Sequence, residues 1–80
     1  MDDLEIVKQI GYLAEEEHHL EASHGAKPLS EADLGRLRSI EVALDQCWDL
    51  LRQRRARRAA GLDPDQAGVR PESVVEGYQQ

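Results

Sequence analysis

One cysteine, one tryptophan and no phenylalanine leave this chain few of the usual means of holding a small protein together. With Cys47 alone, no disulfide can close within the chain, and the missing cysteine framework fits a reducing compartment. A lone cysteine at an apolar helical position most often serves as a small buried hydrophobe. No run approaches the ~20 apolar residues that a membrane-spanning helix needs. The N-terminal stretch MDDLEIVKQI has no basic segment leading into a long apolar one, so no signal peptide is expected and the predicted location is cytoplasmic. There is no glycine-rich phosphate loop and no nucleophile–base pair. No catalytic residue, metal ligand or cofactor is therefore assigned, and an enzyme is not expected.

What the chain does have is charge, unevenly placed. Its 80 residues permit one domain, whose core is marginal and commonly needs a partner subunit. Residues 1–33 carry nine acids and two lysines, residues 34–60 seven arginines and three acids, and residues 61–80 four acids and one arginine. Complementary halves of this kind can satisfy each other when the chain folds back.

Helical spacing dominates the first sixty residues. Asp2 and Glu5 stand at capping-box distance. Ile6, Ile10, Leu13 and Leu20 then recur on one face of a helix over about 3–22, with Glu17 set among them. Residues 23–30 read as a turn, where Gly25 can stop a helix and Pro28 cannot continue one. Ser30 is an N-cap for a second helix over about 31–60, with Glu31 and Asp33 in its first turn. Along it Leu37, Ile40, Leu44, Cys47 and Leu51 step by three and four, with Leu34, Glu41 and Trp48 beside them. The stripe is roughly 140° wide, more than one two-helix seam uses. Gly61 ends the helix, and residues 61–80 form an irregular tail in which a short helical turn at 72–77 is allowed.

The predicted fold is therefore all-α, an antiparallel, coiled-coil-like helix-turn-helix hairpin at residues 1–60. The connection places Leu20 beside Leu34, Leu13 beside Glu41 and Leu44, and Ile6 beside Trp48 and Leu51. It also sets the acidic start of the first helix beside the basic end of the second, so loop length and charge agree on the topology. The excess stripe width predicts a homodimer, two hairpins making a four-helix bundle through Leu37, Ile40, Leu44, Cys47, Trp48 and Leu51. The alternative is a monomer whose tail covers the stripe through Val74, Val75 and Tyr78.

Two segments go beyond a generic helix: Leu44-Asp45-Gln46-Cys47-Trp48-Asp49-Leu50-Leu51 running into Arg52-Gln53-Arg54-Arg55-Ala56-Arg57-Arg58, and Val69-Arg70-Pro71 with Val75-Glu76-Gly77-Tyr78. With Glu16-Glu17-His18, they resemble a family of short actinobacterial proteins catalogued as uncharacterised. The resemblance covers nearly the whole chain. It implies a bacterial cytoplasmic protein and carries no activity with it.

Candidate sites follow from the charged residues and the tail. Arg52, Arg54, Arg55, Arg57 and Arg58 could bind phosphate, an acidic protein or the chain's own Asp2, Asp3, Glu5 and tail acids. The missing interleaved aromatics and the negative net charge weigh against nucleic acid. Arg54 and Arg58 continue the apolar seam, whereas Arg55 continues its flank. Glu15-x-x-His18 and Glu16-x-x-His19 match the spacing of carboxylate-bridged metal bundles, with Glu17 or Glu41 as the further acid. His18 lies only at the edge of the buried face, however, and surface histidines are the commoner outcome. Glu17 in the seam should be paired, with Arg36 or Arg38 as the expected buried ion-pair partner. Val74, Val75 and Tyr78 could equally be anchors for a protein partner.

Overall fold

The computed structural model describes residues 1–22 and 27–75. Helix α1 spans Asp3–Ala22, and helix α2 spans Glu31–Ala59. A 3-10 turn follows at Pro64–Gln66, and a short helix, α3, at Glu72–Val75. Tyr78 and the end of the short turn expected at 72–77 lie outside the described residues. Helices α1 and α2 pack along each other as the predicted hairpin. At 1.5 Å per residue α2 is about 43 Å long, which accounts for most of the molecule's 51 × 24 × 17 Å extent.

Local chemistry fixes the helix ends. The Glu5 amide donates to Asp2 Oδ1 (2.8 Å) and the Asp2 amide to Glu5 Oε1 (3.1 Å), a reciprocal capping box. Ser30 Oγ accepts from the Asp33 amide at 3.1 Å and opens α2. At the far end Gly61 takes φ 73°. The Leu62 amide then reaches Arg57 O (2.8 Å) and the Gly61 amide Arg58 O (3.1 Å). This is a Schellman arrangement, and the left-handed residue it needs is the reason glycine stands there.

The interior is a single row of side chains. Leu13, Ile40 and Leu44 form its centre, with Ile10, Leu20, Ala43 and Cys47 packed against them. Ile6, Leu37, Leu50 and Val75 are buried as well. The tail completes this row by folding back on α2, where both the 3-10 turn and α3 make their contacts. Its polar contacts land on Gln46, Asp49 and Gln53 and, nearer the helix end, on Arg54 and Arg57. On the helical wheel Gln46, Asp49 and Gln53 lie about 160°, 100° and 140° from Trp48, so these contacts fall on the other side of α2. Among the described residues no helix is long and apolar enough to cross a membrane.

Candidate interaction surfaces

The arginine end of α2 is where the charge split is resolved. Arg54 is almost fully enclosed. Its guanidinium holds Asp3 of α1, Asp65 of the 3-10 turn (3.0 Å) and the Pro64 carbonyl (3.2 Å). Arg58 closes on the same Asp3 carboxylate with two bonds, at 3.1 and 2.6 Å. Arg57 Nε donates to the Asp63 carbonyl at 2.6 Å. The Arg58 and Arg54 guanidiniums hold the Asp3 carboxyl down from 3.8 to about 2. Three of the five clustered arginines thus tie the start of α1 and the tail to the end of α2. The continued seam positions, Arg54 and Arg58, do so while Arg55 stays exposed.

A second ion pair lies deeper. Asp49 has no exposed surface, and Arg70 of the tail grips it through Nη2 and, at 2.9 Å, through Nε. Gln53 bridges the two segments, donating to Asp49 Oδ2 (2.8 Å) and to the Gly68 carbonyl (2.7 Å). Gln46 donates to the Arg70 carbonyl at 3.2 Å. Sequence reasoning missed this pair. The available signal was a polar run at 46, 49 and 53, which helical spacing places on one face, together with the single arginine of the tail.

The ion pair expected at Glu17 is corrected. Arg36 directs its fork at Glu16, with Nε–Oε2 at 2.6 Å and Nη2–Oε1 at 2.7 Å, in an exposed pair. Glu16 lies on the rim of the α1 face that meets α2, and there a long arginine can reach it without leaving water. Glu17 is partly buried and faces acids instead: burial, then Glu21 and Glu41, push its carboxyl above the usual range. Glu16, spent on Arg36, is also lost to a metal site with His19, and His19 leans on Glu15 at 3.8 Å. Among the described residues no three histidine, cysteine or acidic side chains converge to hold a metal ion.

Of the stripe expected to form a dimer face, Leu37, Ile40 and Leu44 are core positions of the single chain. Cys47, Trp48 and Leu51 are partly buried and keep some surface. Burial pushes the Cys47 thiol up, which opposes thiolate chemistry. Cys47 also lines a shallow groove of about 340 Å³ between α1, α2 and the tail, with Leu13, Leu50 and Val69. In the tail Val75 is fully buried and Val74 half exposed. The largest apolar exposures lie elsewhere, at Tyr12, Val69, Met1 and Leu4, followed by Val7 and Leu62.

Residues 2–80 match the family described as "Protein of unknown function (DUF2630)". The chain belongs to that family. Relatives of this DUF2630 protein include an uncharacterized protein of Mycobacterium tuberculosis and one of Mycobacterium bovis. Each is 53% identical over 78 residues, covering 95% of this chain and 88% of the relative. The actinobacterial resemblance read from the α2 segment and the tail is thereby confirmed. No solved structure matches the chain.

Proposed function

We propose that this DUF2630 protein is a non-enzymatic, cytoplasmic helical hairpin that works by protein–protein association, first of all with itself. The observation that carries this reading is apolar surface left over after the core is complete. Leu4 is 62% and Val7 53% exposed, neighbours one turn apart on α1, although Ile6 and Ile40 have no exposed surface at all. Large side chains kept in water on an already closed hairpin mark a contact surface. The charged groups that could serve chemistry have structural work: Asp3 and Asp49 are clamped by arginines, and the Cys47 thiol is pushed toward its protonated form.

Solution mass by light scattering over a wide concentration range tests the proposal. A mass of two chains that falls to one on dilution supports it. A single-chain mass at every concentration sinks self-association and leaves only a different protein as the partner.

A further inference from the structure

We infer that a second copy of this chain docks on the flank of α2 that carries Trp48, antiparallel, with Glu41 of each copy meeting Arg55 of the other. This rests on the reading of the protein as self-associating and names the surface and the direction.

The hairpin has two broad sides. On one, Gln9 of α1 and Ala43 and Gln46 of α2 line a groove together with Val69 of the tail. The helical wheel puts Val7 of α1 on the opposite side, with Leu34, Glu41, Trp48 and Arg55 of α2. Val7 and Leu34 are about half exposed there, and Trp48 is only partly buried. A partner on this side leaves the hairpin's core and its tail in place.

Leu34, Glu41, Trp48 and Arg55 follow one another at intervals of seven residues. That spacing makes a stripe along α2, about 70° around the helix from the seam that meets α1. Trp48 stands midway between Glu41 and Arg55. Both charges are exposed, and among the described residues neither has an ion-pair partner.

This order of charge selects the occupant and the direction. A stripe that reads acid, tryptophan, base is complementary to a second copy of itself only when that copy is reversed. In a twofold antiparallel pair centred on Trp48, the two tryptophans meet. Each Glu41 then lies level with Arg55 of the other copy, and symmetry makes the contact twice. A parallel pair would set Glu41 against Glu41 and Arg55 against Arg55.

Asp45 and Arg52, on the outer edge of the same stripe, fix the register. In an antiparallel pair each edge faces its own equivalent, so the centre at Trp48 also brings Asp45 opposite Arg52 of the other copy. Sliding one copy by a heptad sets Asp45 against Asp45 in one direction and Arg52 against Arg52 in the other. Like charge thus disfavours both neighbouring registers.

The test is sedimentation equilibrium on the full chain. Glu41→Arg and Arg55→Glu alone should each weaken the dimer by about tenfold, and the two together should restore it. Neither side chain has an ion-pair partner within its own chain. At concentrations where the protein is a monomer, all three variants should therefore melt close to the wild type, which separates lost docking from lost folding. A wild-type dimer indifferent to both single reversals keeps self-association and overturns the Trp48 flank. A double reversal that fails to recover overturns the antiparallel register. A wild-type chain that stays monomeric at every concentration overturns this inference together with the reading beneath it.

Discussion

Arg70, 21 residues further along the chain, closes on the carboxylate of Asp49, which has no exposed surface. The pair binds the tail to the middle of α2. A buried carboxylate that loses its cation is left with its desolvation cost uncompensated, typically 3–5 kcal/mol. Arg70 is 44% exposed, so water would reach part of the gap, and Arg70→Ala should cost about 2–3 kcal/mol. Asp49→Ala with Arg70→Ala should cost less than the two single changes summed, because neither charge is then stranded. Urea unfolding of all four proteins closes the cycle, and strict additivity would refute the coupling.

Acid should loosen the same molecule at its other end. The Arg58 and Arg54 guanidiniums lower the Asp3 carboxyl from 3.8 to about 2. A carboxyl depressed in the folded state contributes stability that is complete above its unfolded value and is lost as pH falls through the folded one. The melting temperature should therefore drop between 3.8 and about 2 by more in the wild type than in Asp3→Asn. Parallel acid profiles for the two proteins would show that Asp3 carries none of the effect.

Glu17 gives the opposite sign. Its carboxyl is raised by burial and by Glu21 and Glu41, so its contribution is favourable below the ordinary 4.5 and lost as pH rises through the folded value. At neutral pH Glu17→Gln should raise the melting temperature, and the gain should shrink to nothing once both proteins are measured below 4.5. A gain that persists in acid would point to packing as the cause.

The hairpin could be read from the sequence because each signal that specifies it is local. Steps of three and four lay out the seam, Asp2 with Glu5 and Ser30 mark the starts, and Gly61 marks the stop. The choice of Arg54 and Arg58 as seam positions followed from the same periodicity. The docking of the tail could not be read this way. No periodicity links Arg70 to Asp49, and a polar row at 46, 49 and 53 looks solvated until a distant segment brings its partners. Glu17 misled for a related reason. The wheel placed it inward, but it could not show that Arg36 would reach the rim acid Glu16 at less cost in desolvation.

Neighbouring arginines should behave unlike one another. Arg54 is nearly enclosed and joins α1, α2 and the 3-10 turn through Asp3, Asp65 and the Pro64 carbonyl. Arg55, one residue on and about 100° around the helix, is exposed. Arg54→Ala takes one of two arginines from Asp3, takes Arg54 from the exposed Asp65 and leaves a void, which should cost about 2 kcal/mol. Arg55→Ala should stay within about 0.5 kcal/mol of the wild type, as surface changes do. The same pair separates structure from binding. If the cluster served a polyanion, Arg55→Ala would leave the melting temperature alone yet weaken retention on heparin at low salt. If its role is the internal clamp, Arg55→Ala should change neither, and only Arg54→Ala should lower the melting temperature.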